Sequence, residues 1–171
     1  MKRIILLLIS VIFLSSCVKV PEWVTPVKNF QAKRFMGTWY EVARLDHRFE
    51  HGMNTVSSRF SMTSDGKISI RNEGYMVRMS EWRNAEASAS FIEGEDVGLL
   101  KVAYMKPFYD PYVIFKIDPD YEWAFVCGKD REHLWLLSRY EWVDDDVMAE
   151  FKRESKRLGF DLSELIEVKH L

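Results

Sequence analysis

Cysteine is scarce. The 171 residues hold only two, Cys17 and Cys127, too few for a disulfide framework, so stability must come from packing. Long apolar runs are missing as well: the longest, residues 4–14, is too short to span a bilayer comfortably. Positive charge is in no excess, with 24 Lys and Arg against 26 Asp and Glu, which disfavours nucleic-acid binding. The chain has no Gly-rich phosphate loop, no Ser-His-Asp ordering and no cysteine spacing that suits zinc, so its residues give no positive support to an enzyme. Of four histidines only His47 and His51 are close, and four apart on a strand end or loop is not helical ligand spacing. No metal and no cofactor are expected.

What is present begins with punctuation. Lys2 and Arg3 precede the apolar run, and Leu14-Ser15-Ser16-Cys17 follows it, the order of a secretory signal. That tetrapeptide resembles the lipobox of bacterial lipoproteins. The resemblance implies cleavage of residues 1–16 and acylation of Cys17, with three chains holding the protein on a membrane far better than one. Val18 and Lys19, standing where an aspartate would retain such a protein elsewhere, imply an outer-membrane anchor facing the periplasm of a Gram-negative cell. Cleavage leaves 155 of the 171 residues and, with Lys2 and Arg3 gone, moves the net charge from −2 to −4. One domain suffices for that length. Residues 17–28, with Pro21 and Pro26, read as the lipidated terminus and an extended spacer, and residues 29–171 as the domain.

From Arg34 onward, short strand-like runs alternate with turn signals. Expected strands are 37–49, 54–63, 67–77, 81–91, 98–105, 111–117, 122–128 and 133–140. Eight consecutive strands with hairpin links predict an all-β, up-and-down antiparallel barrel, which removes open edges and leaves room for one small ligand. Alternation assigns the inward face. It selects Val56, Ser58 and Phe60, then Ile70 and Asn72, then Ala87, Ala89 and Phe91, then Leu100, Val102 and Tyr104, and finally Tyr112 and Ile114. Ala43 and Trp135 complete the expected lining. Small side chains at Ala85, Ala87 and Ala89 suggest a cavity kept open for a guest. After the last strand, Asp144 is a plausible helix N-cap, Val147, Phe151 and Leu158 form an apolar stripe, and Gly159 ends the helix, which should pack on the outer wall.

Gly37-Thr38-Trp39-Tyr40 opens the first strand and Leu134-Trp135-Leu136-Leu137-Ser138-Arg139 closes the last. With Asn29-Phe30, Pro107-Phe108-Tyr109 and Asp118-Pro119-Asp120-Tyr121 in order between and before them, these blocks make the chain resemble the lipocalins, particularly the bacterial lipoprotein lipocalins and the apolipoprotein D group. The resemblance implies that Gly37, Trp39 and Arg139 close the narrow end, the arginine lying on the indole. It also implies that a fatty acid, lysophospholipid or similar lipid is stored or transported in the lumen. The alternative is an envelope interaction protein with no lipid cargo. Cys127, flanked by Val126 and Gly128, reads as a small buried hydrophobe rather than a nucleophile. Asp46-His47-Arg48-Phe49-Glu50 reads as a loop at the barrel mouth. A homodimer is compatible with this pattern, which does not require one.

Overall fold

The structure, a computed structural model, describes residues 18–170. Cys17 and the expected signal before it lie outside the described residues. A short helix, α1 (Ala32–Phe35), precedes eight strands: β1 (Gly37–Leu45), β2 (Met53–Met62), β3 (Ile68–Met76), β4 (Glu81–Phe91), β5 (Leu99–Met105), β6 (Phe108–Ile117), β7 (Trp123–Cys127) and β8 (Leu134–Ser138). Helix α2 (Asp145–Arg157) and a last short strand, β9 (Leu165–Glu167), follow. Each strand pairs antiparallel with the next, and β1 pairs with both β2 and β8, closing the barrel. Strand β9 lies outside that count, against the upper part of β1, where Arg44 faces Ile166.

Two apolar cores share the barrel wall. The inner one joins Trp39, Phe60, Ile70, Ala87, Ala89, Leu100, Val102, Ile114, Val126 and Leu137. The outer one joins Val42, Ala43, Leu99, Val113, Phe125, Cys127, Leu134 and Leu136 to Phe151 of α2 and Phe160. Period-two alternation on β5 to β8 feeds both, because successive side chains leave opposite faces of the sheet. Plain alternation resolves the ambiguous sixth strand, with Tyr112 and Ile114 inside and Val113 and Phe115 outside, and the register shift after Ile114 turns Lys116 outward beside Phe115, where it pairs with Glu150 of α2. Burial of an aromatic such as Phe151, fully covered and edge-on to Phe125 at 5.2 Å, contributes about 1.5–3 kcal/mol. This contact fixes α2 to the outer wall.

Asp144 occupies the N-cap position of α2, but its side chain makes no capping bond; Asp146 instead accepts the Val147 N–H. The two acids of the first turn and Lys156 and Arg157 of the last complement the helix dipole. Gly159 follows the helix with φ +87°. Tyr40, on the outer wall, meets His170 ring to ring at 5.7 Å.

The segment read as a spacer lies along the barrel. Trp23 packs edge-on against Phe160 at 5.4 Å, Val24 is buried, and Val27 exchanges backbone bonds with Ile114 and Gly98. From there the chain reaches the barrel base at Phe30, and α1 inserts Phe35 beneath the lumen, 5.0 Å from Phe60.

Candidate ligand-binding site

The base is sealed first. Trp39 is fully buried, and its indole N–H donates to the Phe35 carbonyl at 2.7 Å. Arg139 lies over that ring with its guanidinium carbon 3.8 Å from the centroid. Its N–H groups donate to the carbonyls of Thr38 at 2.8 Å, Arg34 at 2.6 Å, Met36 at 3.0 Å and Tyr121 at 3.3 Å. Among the described residues no carboxylate takes part, so the guanidinium acts as a fork that ties α1, β1 and the β6–β7 turn to the end of β8. Burial draws its pKa down only to about 10, leaving it charged. Gly37 is required twice over: its φ of +100° suits glycine, and a Cβ there would sit 3.2 Å from Arg139 Nη1.

Above this base the wall is hydrocarbon. Phe60, Ile70, Ala87, Ala89, Phe91, Leu100, Val102 and Ile114 all belong to the inner core. Val56 shares their face, against Gly74, and Ser58 faces both Trp39 and Asn72 across the sheet. An aromatic ladder climbs one side: Phe35, Phe60, Tyr112 and Trp135 follow one another at centroid spacings of 5.0, 6.0 and 6.3 Å, and His47 meets Trp135 at 5.1 Å.

Near the mouth the chemistry changes. Glu41 and Arg44 are buried to 2% and 1% exposure, and both face the lumen. The cause is a bulge in β1. Glu41 opposes Leu137 and Ala43 opposes Leu136, so Val42 is an extra residue. Strict alternation would have carried Ala43 inward with Trp39 and Glu41. The bulge instead sends Val42 and Ala43 outward together and turns Arg44 in, opposite Trp135. Ala43, expected in the lumen, therefore belongs to the outer core. The buried ion pair was missed because a charged residue in a strand reads as outward; its trace is a spacing of three between Glu41 and Arg44, which alternation cannot place on one face.

Arg44 donates from Nη2 to the carbonyls of Glu50 and Met53, both at 2.9 Å, and lies 3.5 Å from Glu41 Oε2. Glu50 Oε2 gathers His47 Nε2 at 2.8 Å, the Trp135 N–H at 3.2 Å and Arg44 Nε at 3.8 Å. Burial and the neighbouring Glu50 push the Glu41 carboxyl well above its ordinary 4.5, Arg44 offsetting only part. Burial acts on Glu50 in the same direction, but His47, Arg44 and Trp135 outweigh it and hold Glu50 below its ordinary value. Glu50 is thus the charged member and Glu41 the proton holder, a division expected of two close carboxyls. Arg44 Nε, His47 Nδ1 and Asn72 Oδ1 are buried without an aligned hydrogen-bond partner among the described residues, whereas His47 Nε2 is engaged by Glu50. The first three keep hydrogen-bonding capacity for a polar guest.

Tyr104 completes the ring, bonded to Asn72 and stacked on Phe49 at 6.4 Å. Burial pushes its phenol up to about 12, although 58% of its surface is accessible. Protein surrounds it while the mouth leaves one side open, which is the situation of a residue lining a vestibule. Burial raises the Tyr112 phenol well above its ordinary value too. Cys127 sits in the outer core, where burial pushes its thiol up to about 12, far from the thiolate that a nucleophile requires.

A closed, plugged barrel with an apolar inner wall and a polar collar is the architecture of a binding protein for small hydrophobic molecules, and the chain belongs to the lipocalin family: the Lipocalin-like domain matches residues 30–170. It is 44% identical over 169 residues to the outer membrane lipoprotein Blc of Vibrio cholerae, covering 98% of each chain. It is 43% identical over 148 residues to that of Escherichia coli, covering 86% of this chain and 84% of the other. Among solved structures, the cockroach allergen Per a 4 superposes with a TM-score of 0.67 at 18% identity, over 89% of this chain and 94% of that one, a likeness of fold.

Proposed function

We propose that the barrel carries a single-chain amphiphile, a fatty acid or lysophospholipid, with its tail between Ala87, Ala89 and the aromatic ladder and its head at the collar of Arg44, His47, Asn72 and Tyr104. The observation that supports this is the polarity gradient of the lumen, apolar from Trp39 to Tyr112 and charged from Glu41 to Glu50. Burying a tail contributes about 25 cal/mol per Å² of apolar surface, and the polar atoms of the collar orient the head.

Under the same reading, residues 1–16 are removed, Cys17 is acylated, and the domain is held at the outer membrane facing the periplasm. The lipobox-like tetrapeptide and the similarity to the outer membrane lipoproteins of Vibrio cholerae and Escherichia coli support that location. The protein works by storage or transfer rather than turnover, in keeping with the buried thiol of Cys127.

Native mass spectrometry of the gently extracted protein tests the cargo. Lipid masses released from the folded chain are the expected result. An empty barrel whose tryptophan fluorescence is unmoved by added fatty acid would overturn the reading.

A further inference from the structure

The exposed large hydrophobic side chains are unevenly distributed. Seven of them, Phe49, Val77, Met79, Trp82, Tyr104, Met105 and Phe108, gather at the open end with exposures between 48% and 79%. Four others, Met62, Ile92, Tyr140 and Trp142, belong to the half of the molecule around the closed base. A rim this apolar is a mark of an interaction surface.

Three mouth loops carry the tips, and each sets a cation beside them. Arg48 precedes Phe49 between β1 and β2; Arg78 separates Val77 from Met79 between β3 and β4; Lys106 lies between Met105 and Phe108 at the β5–β6 turn. Among the described residues none of these three cations makes an ion pair, whereas nearby acids are engaged, Asp46 with His51, Glu81 with Arg83 and Asp110 with Lys129. The fourth mouth loop, which holds Asp130 and Glu132, carries no exposed apolar tip. A chain of net negative charge therefore offers its bare cations beside its bare hydrophobes on three adjacent loops. Anionic headgroups over hydrocarbon are the surface that complements this pattern.

The path of the N-terminal segment points the same way. The Arg131 guanidinium of the β7–β8 loop covers the Trp23 ring, its carbon 4.4 Å from the centroid, so Trp23 is held at the mouth end of the barrel. Cys17 lies six residues upstream, within about 20 Å of Trp23 for a fully extended chain. An anchor at Cys17 is thus within reach of the end that carries the apolar rim.

We infer that the barrel docks mouth-down on an anionic bilayer, the Phe49, Met79 and Phe108 tips entering the interface beside the acyl anchor, so that a lipid passes from the leaflet into the lumen without crossing water. This rests on the anchor at Cys17 proposed above.

The test uses the full chain, processed in a Gram-negative host and reconstituted in phosphatidylethanolamine–phosphatidylglycerol vesicles containing nitroxide-labelled phospholipid. A bimane dye is placed at Met79→Cys or, at the closed end, at Ser64→Cys; buried Cys127 does not compete. The expected result is loss of about half or more of the fluorescence at position 79 and little at 64. Replacing Phe49 and Phe108 by Asp, or Arg48, Arg78 and Lys106 by Gln, should restore most of the signal at 79 without altering the fold of these exposed sites. Equal quenching at both positions, quenching only at 64, or quenching at neither overturns the docking. Intact mass reads the anchor separately: a chain without acyl mass at Cys17 removes the premise, whereas an acylated chain with an unquenched mouth defeats the docking alone.

Discussion

Arg139 and Trp39 are 100 positions apart in the chain, yet the guanidinium carbon lies 3.8 Å from the indole centroid, and every hydrogen bond of that guanidinium ends on a backbone carbonyl. The pair is a structural clasp. Arg139→Ala removes the cation–π contact and leaves four carbonyls to find new partners, so urea denaturation should show a loss of roughly 2–4 kcal/mol. Arg139→Lys should recover less than half, because an ammonium cannot reproduce the planar fork. Gly37→Ala, strained by its φ of +100° and crowded by Arg139 Nη1, should cost about 1–3 kcal/mol in the same assay.

The collar predicts a pH dependence with two opposing limbs. Glu41 has a raised pKa in the folded state, so above the unfolded value of a glutamate the folded chain binds the extra proton and stability falls as pH rises toward the folded value. Glu50 has a lowered one, so its contribution is present above the unfolded value and disappears as pH falls through the folded value. Glu41→Gln should therefore flatten the decline on the alkaline side of about pH 5 and leave the acid limb in place. Denaturant midpoints measured across pH check this; an unchanged alkaline slope would contradict the assignment of the proton.

Removing Arg44 should be far more damaging than removing Glu41. Arg44→Met strands the Glu50 carboxylate, buried with only His47 and Trp135 beside it, at a cost of roughly 3–5 kcal/mol. Pairing that change with Glu50→Gln should recover a large part of the loss, which a double-mutant cycle reads directly.

Ala87 lies inside the barrel at 6% exposure, opposite Ile70. Ala87→Leu puts hydrocarbon where the tail is proposed to lie. Fatty-acid affinity, read by tryptophan fluorescence, should fall about tenfold or more, with a stability change within about 1–3 kcal/mol. Unaltered affinity would place the cargo elsewhere.

Cys127 should resist iodoacetamide in the native protein at mildly alkaline pH, since burial holds its thiol at about 12, and react on unfolding. Cys127→Ala should cost roughly 1–3 kcal/mol through the space it leaves and leave lipid binding unchanged.

Much of the barrel can be read along the chain because β3, β4 and, as far as Val102, β5 keep an unbroken alternation. The inner positions from Ile70 to Val102 follow from counting by two. Counting fails where the strands are irregular. At Val42 the extra residue reverses the sides of Ala43 and Arg44, and nothing in the local composition announces it, since Val42 and Ala43 suit either face. The collar is hidden for a second reason: Glu50 and His47 come from a loop, and a loop residue has no period to count. Helix α1 is too short for a periodic signal, and its role as a plug depends on Tyr121 and Arg139, each more than 80 positions away. Long-range hydrogen bonds of this kind leave no mark within any window of the chain.

The bulge at Val42 has a further implication. With the same residues laid in an unbroken two-residue rhythm from Trp39 onward, Ala43 would turn inward and the guanidinium now beside Glu50 would be driven outward into the core shared with the helix. The vessel would become a cup of plain grease with a cation trapped in its casing. How the backbone absorbs one surplus residue at a single point of one strand, more than the identity of any side chain there, thus decides whether the interior can greet a headgroup.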